Sequence, residues 1–130
     1  MSADELRQRL DDPGLTIVDV RALPAYNGWR AGGEARGGHI PGAVAFPRAW
    51  LSSVDDAEVE RLLQSKDIVP NQEVVLYGDD ADDVSAVRTR LTDLGHEGVR
   101  TYEQGWAEWA ADDTLPVERL PNYDKLVHTE

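Results

Sequence analysis

The apolar positions of this chain fall into short runs whose period changes along the sequence. Leu15-Thr16-Ile17-Val18-Asp19-Val20 is a brief β-branched run, and Glu73-Val74-Val75-Leu76-Tyr77 is another; both have the length and composition of buried strands. Ala43-Val44-Ala45-Phe46 and Val99-Arg100-Thr101-Tyr102 read as two further short strands. Between them, Asp56 to Gln64 places Val59, Leu62 and Leu63 on one helical face. A longer helix is predicted from about Val84 to Leu94, with Gly95 as its left-handed stop. Ser2 stands three residues before Glu5 and just ahead of Leu6 and Leu10, the capping-box arrangement, so a short helix is expected at the start, ending near Asp12-Pro13-Gly14. Gly105-Trp106-Ala107-Glu108-Trp109 begins a last short helix, with Trp106 and Trp109 spaced to pin it to the sheet. Strands that alternate with helices imply an α/β fold with a mostly parallel sheet covered on both faces.

Two segments break this pattern. Arg21 to Gly38 is rich in glycine and charge, with Tyr26 and Trp29 as its large apolar anchors, and is expected to be a long surface excursion. Gly78-Asp79-Asp80-Ala81-Asp82-Asp83 follows the third strand directly and is expected to be a loop opening onto a helix.

Composition narrows the function classes. With 130 residues and 41% hydrophobic content, the chain has enough apolar material for one domain. A formal net charge of −12 disfavours nucleic acid and the anionic face of a membrane as partners. No stretch approaches the roughly 18 apolar residues of a membrane span, and no signal peptide is visible, which leaves cytoplasmic and periplasmic locations both open. The sequence has no cysteine, so a thiol nucleophile, a disulfide and a thiolate metal site are excluded. Gly-x-Ser-x-Gly, a phosphate-binding glycine-lysine loop and a dinucleotide fingerprint are all absent, and no cofactor is expected.

Four segments, in order, resemble the rhodanese (sulfurtransferase) family: Ile17-Val18-Asp19-Val20-Arg21; Gly38-His39-Ile40-Pro41-Gly42-Ala43; Val74-Val75-Leu76-Tyr77; and Gly95-His96 through Gly105-Trp106-Ala107-Glu108-Trp109. The His39-Ile40-Pro41-Gly42-Ala43 stretch is the most specific of them. The resemblance implies a rhodanese-like α/β fold with a mostly parallel central sheet of about five strands and helices on both faces. In catalytic members of that family, a cysteine directly after the central strand forms a persulfide cradled by backbone amides at a helix start, where the dipole favours a sulfur anion. Here that position is Gly78, and the spacing from Gly78 to Gly95 matches the family's, so the nucleophile is replaced and the loop length is retained. Active relatives often carry an arginine at the loop's end; this chain has Asp83 there, after Asp79, Asp80 and Asp82, and four carboxylates repel an anionic sulfur donor. The resemblance is nearest to the cysteine-less first domain of tandem thiosulfate/3-mercaptopyruvate sulfurtransferases. It implies a rhodanese-like domain over 1–120, a tail over 121–130 that starts a linker, and a following cysteine-bearing domain of the same protein as partner.

Individual residues admit blander readings. The acidic run at 79–83 suits a hard cation, but it lacks the alternation and terminal glutamate of a calcium loop, so a solvated loop is preferred and no metal is assigned. His39 suits a general base near neutral pH; the resemblance instead implies that it fixes the loop before the second strand. Asp19 and Arg21 lie where binding residues collect in open α/β sheets, yet a buried, mutually hydrogen-bonded pair is the simpler expectation. Pro41, Gly42, Gly105 and Trp106 complete the structural motif. Two further readings stand beside the non-catalytic domain: a free-standing interaction module binding a partner through the 21–38 excursion or the acidic loop, and an enzyme with non-thiol chemistry at Gly78.

Overall fold

The computed structural model describes residues 1–30, 35–52 and 55–118, so the expected 121–130 tail lies outside the described residues. In chain order the elements are α1 (Ala3–Gln8), β1 (Leu15–Asp19), α2 (Leu23–Asn27), β2 (Val44–Ala45), a 3₁₀ turn (Arg48–Leu51), α3 (Asp56–Ser65), β3 (Glu73–Tyr77), α4 (Ala81–Asp93), β4 (Val99–Thr101) and α5 (Gly105–Ala111). The strands pair in the order β2-β1-β3-β4, all parallel, with Asp19 in register with Ala45 on one side and Tyr77 on the other.

Alternation along the strands builds two cores. Leu15 and Ile17 of β1, with Val75 and Tyr77 of β3, face a cluster closed by Leu6 of α1 and by Trp106 and Trp109 of α5. Val18 and Val20, with Val74 and Leu76, face the opposite cluster, closed by Val59 and Leu63 of α3 and Val84, Val87 and Leu91 of α4. Helices therefore cover both faces, as the alternation of elements predicts.

Several expected boundaries move. The sheet has four strands among the described residues where about five were expected; what exists beyond them is a single antiparallel bridge between His39 and Glu118. That bridge does not extend into a strand because Ile40 to Ala43 turns immediately and Pro41 has no N–H to donate. The first helix stops at Gln8, short of Asp12, although Ser2 caps it as the pattern predicts, accepting from the Glu5 N–H at 3.1 Å. The 21–38 excursion contains α2, which starts with Pro24 in its first turn, where a missing N–H costs nothing. Trp29, expected as an anchor there, is 45% exposed, whereas Tyr26 is fastened through its hydroxyl to the Ala43 carbonyl at 2.6 Å. Gly95 ends α4 at φ +97°, and the His96 N–H returns to the Leu91 carbonyl at 3.0 Å.

Candidate functional site

In this strand order, the chain passes from β1 to β2 on one side and then crosses back to β3 on the other. The crevice between the carboxyl ends of β1 and β3 is where open α/β sheets collect binding groups. Val20-Arg21 and Gly78-Asp79 emerge there.

Asp19, fully buried, faces the same side of the sheet as Ile17 and Tyr77. Its carboxylate accepts from the Arg21 backbone N–H at 2.9 Å, from Arg21 Nε at 3.1 Å and Nη2 at 2.8 Å, and from the Tyr77 hydroxyl at 2.6 Å. Arg21 Nη2 also donates to the Gly38 carbonyl, and its guanidinium lies over the Trp106 ring, 4.5 Å from the centroid. Burial opposes the charge on Arg21, but its bonds to Asp19 and the carboxylate's field outweigh this and raise its pKa. Burial, reinforced by Asp19, likewise pushes the Tyr77 phenol well above its ordinary value. Tyr77 accepts in turn from the Ile40 N–H at 3.0 Å. Both carboxylate oxygens of Asp19 accept hydrogen bonds inside the protein, so the arrangement is a buried, mutually hydrogen-bonded pair. Tyr77 was missed as its third member; its place on the Ile17 side of the alternation, next to Asp19 in register, was the available signal.

His39 is placed elsewhere. Its ring stacks on Tyr26 at 3.8 Å, Nδ1 is 2.8 Å from the Tyr26 carbonyl, and Nε2 is 3.7 Å from Glu118. Pro41 and Gly42 (φ +82°) are the central residues of a turn closed by the Ala43 N–H to the Ile40 carbonyl at 2.9 Å, the arrangement of a type II turn. This segment holds the loop before β2 and presents no group to the crevice.

The Gly78 loop differs from expectation in a way that bears on chemistry. Residues 78–83 were expected to remain a loop, with the helix starting near Val84; instead α4 begins at Ala81. Asp80 is its N-cap, accepting from the Asp82 N–H at 2.7 Å, and Asp82 and Asp83 sit in its first turn, where the helix dipole favours carboxylates. Asp83 also faces Arg48 at 3.6 Å. Three of the four carboxylates are thus placed by the helix start: Asp80 as cap, Asp82 and Asp83 in the first turn, with Asp83 also in the ion pair.

Gly78 is crowded on the side of Val20 and Val84. A β-carbon placed there would lie 2.9 Å from Val20 Cγ2 and 3.3 Å from Val84 Cγ2. Its carbonyl accepts from the Trp106 N–H at 3.1 Å, and a β-carbon on Gly105 (φ +66°) would fall 2.3 Å from that same oxygen. Glycine at 105 is therefore what lets α5 approach the β3 loop. Toward β4, Gly78, Asp79, Ser85, Arg88, Tyr102 and Glu103 border an open cleft of about 190 Å³. Among the described residues, no group of three or more histidine or acidic side chains is placed to hold a metal ion, and no helix is long and apolar enough to cross a membrane.

With this geometry in place, similarity to known proteins is informative. The rhodanese-like domain family matches residues 2–112. The chain is 32% identical to a thiosulfate sulfurtransferase of Azotobacter vinelandii, over 90% of its own length and 45% of the relative's. It is 32% identical to a thiosulfate sulfurtransferase of Corynebacterium glutamicum, over 92% of its own length and 44% of the relative's. It thus spans less than half the length of these relatives. Among solved structures, an anaerobic ergothioneine biosynthesis enzyme from Chlorobium limicola, in complex with trimethyl histidine, superposes with a TM-score of 0.89 at 35% identity, covering 95% of this chain and 28% of that one. The parallel sheet with helices on both faces, the His39-to-Ala43 turn and these matches agree: the chain belongs to the rhodanese-like domain family.

Proposed function

We propose that this chain is a non-catalytic rhodanese-like domain, and that it works within a multidomain sulfurtransferase of the thiosulfate/3-mercaptopyruvate type whose catalytic cysteine lies in a following domain. The carrying observation is the state of position 78. Sulfur transfer from thiosulfate requires a thiolate that attacks the outer sulfur, releases sulfite and holds a persulfide until an acceptor removes that sulfur. Gly78 offers no thiol, Val20 and Val84 crowd the space a side chain would need, and Asp80 already occupies an amide at the start of α4. Sequence similarity to thiosulfate sulfurtransferases more than twice as long supports the parent's activity class. In this reading, residues 1–120 form the domain and 121–130 lead toward the next one.

Two measurements test the proposal. The chain alone is incubated with thiosulfate and cyanide, and thiocyanate is followed; no turnover above buffer is expected, and mass spectrometry is expected to detect no added sulfur. A clear rate would overturn the non-catalytic assignment. The native reading frame is then examined for a second strand-tyrosine-cysteine-loop-helix unit. Its absence would leave a free-standing interaction module as the reading in force.

A further inference from the structure

We propose that His39 and Glu118 form an acid-tightened clasp at the end of the domain: protonating the His39 imidazole strengthens its hold on Glu118 and so sets where the polypeptide leaves the fold. Both residues belong to this domain, so the clasp does not depend on the multidomain reading above.

The segment after α5 is fastened at two places. At its inner end Leu115 is buried in the same core cluster as Trp109, and the Trp109 indole N–H donates to the Pro116 carbonyl at 2.6 Å. At its outer end Glu118 pairs with His39 through both backbones. The His39 N–H donates to the Glu118 carbonyl at 2.7 Å, and the Glu118 N–H to the His39 carbonyl at 2.9 Å. The Glu118 side chain adds a third tie: its Oε1 accepts from the Gly42 N–H at 2.6 Å and stands 3.7 Å from His39 Nε2. The inner fastening uses no ionisable side chain, whereas the outer one uses two.

The tautomer of His39 decides the direction of the pH effect. Nδ1 lies 2.8 Å from the Tyr26 carbonyl, which can only accept, so Nδ1 carries the hydrogen of the neutral ring. Nε2 is then a bare lone pair beside a carboxylate oxygen and contributes no bond. A second proton makes Nε2 a charged donor toward Glu118, and the Tyr26 ring, stacked at 3.8 Å, offers its negative face to the cation. Burial of the ring opposes that charge, and the carboxylate and the aromatic face offset the cost. The other titratable groups nearby leave the sign unchanged. Burial raises the pKa of the Tyr26 phenol, which keeps it neutral. Arg21, bonded to the Gly38 carbonyl, is matched by Asp19, and the Tyr77 hydroxyl donates to that same carboxylate.

The clasped form therefore binds the added proton more tightly than an open form from which Glu118 has moved away. Closure is favoured most where the imidazole is charged, and weakens as pH rises through the range of about 5 to 8 in which imidazoles change charge. In stronger acid Glu118 itself takes a proton and the tie is lost. An unclasped chain leaves the domain at Pro116, its remaining fastening, instead of at Glu118.

Amide hydrogen exchange of the 130-residue chain at pH 7.5 and pH 5.5 tests this, read by NMR, corrected for intrinsic exchange, and gauged against the amides of β3, which report global opening. Relative to that gauge, protection of the His39 and Glu118 amides is expected to rise about two- to five-fold on acidification, the scale of a partly exposed ion pair. Glu118→Gln keeps an oxygen for the Gly42 N–H but removes the charge, and is expected to abolish the rise. A rise that persists in this variant, or protection that stays flat or falls in the unaltered chain, would overturn the proposal. Imidazole nitrogen chemical shifts are expected to place the hydrogen of neutral His39 on Nδ1; finding it on Nε2 would overturn the proposal as well.

Discussion

At position 105 the backbone is in the left-handed region and a β-carbon would sit 2.3 Å from the Gly78 carbonyl oxygen, so two separate costs meet in one residue. Gly105→Ala is expected to lose roughly 2–4 kcal/mol of stability, from the strained φ plus overpacking against an immovable carbonyl. Urea denaturation checks this, and a loss below about 0.5 kcal/mol would show that α5 retreats freely. Gly78→Cys is the complementary experiment. The 2.9 Å approach to Val20 Cγ2 is expected to cost about 1–3 kcal/mol, and the thiol is expected to titrate above its ordinary value of about 8.5, because the adjacent carboxylates disfavour a thiolate. Thiosulfate-to-cyanide transfer should stay far below that of cysteine-bearing relatives. Thiolate absorbance against pH, read with the transfer rate, would refute this if the thiol titrated low and the rate recovered. That the chain has no cysteine and carries glycine at 78 is legible in the sequence. That a β-carbon there would crowd Val20 and Val84 is not, since these two arrive from different elements.

Among the elements, α4 departs most instructively from its sequence reading. The sequence reading places its start near Val84, after a loop over Gly78 to Asp83. Carboxylates are nonetheless favoured in a first turn, where they meet unpaired N–H groups and the positive end of the dipole, and the helix begins at Ala81. Asp80→Ala is expected to cost about 1 kcal/mol through loss of the N-cap, whereas Asp80→Asn should be nearly neutral, because an amide oxygen caps as well as a carboxylate. Thermal melts followed by circular dichroism distinguish the two; equal losses would mean that charge, not capping, holds this helix start.

For the molecule as a whole, acid is expected to act in two stages. Burial lowers the pKa of His96 below 6.5, with Glu60 opposing only in part, and its Nδ1 has no hydrogen-bond partner in the buried site. The unfolded chain therefore binds that proton more readily than the folded one. Stability is full above the unfolded value of about 6.5 and declines as pH falls through the window below it. Glu5, Asp12 and Glu73 are held below their ordinary values by hydrogen bonds from Arg100 or Arg9, and their contribution is lost at lower pH, as they protonate. His96→Gln should flatten the first stage alone. Urea midpoints at pH 7.5 and pH 5.5 check this, and an unchanged difference between them would assign the acid sensitivity to other groups.

The sequence by itself determined the α/β alternation, the capping of the first helix by Ser2, the stop at Gly95, the buried Asp19–Arg21 pair, the role of Trp106 and Trp109 as pins, and the absence of any cysteine. Each is written in residues close together along the chain, or in one residue's chemistry. Only the tertiary structure decided that Tyr77 joins Asp19 from a neighbouring strand, that Gly105 and Gly78 touch through their backbones, that Val20 and Val84 crowd the space beside Gly78, and that Trp29 faces outward. Those contacts bring together residues far apart in sequence, and their geometry depends on strand register and helix placement, which no local pattern of apolar positions encodes.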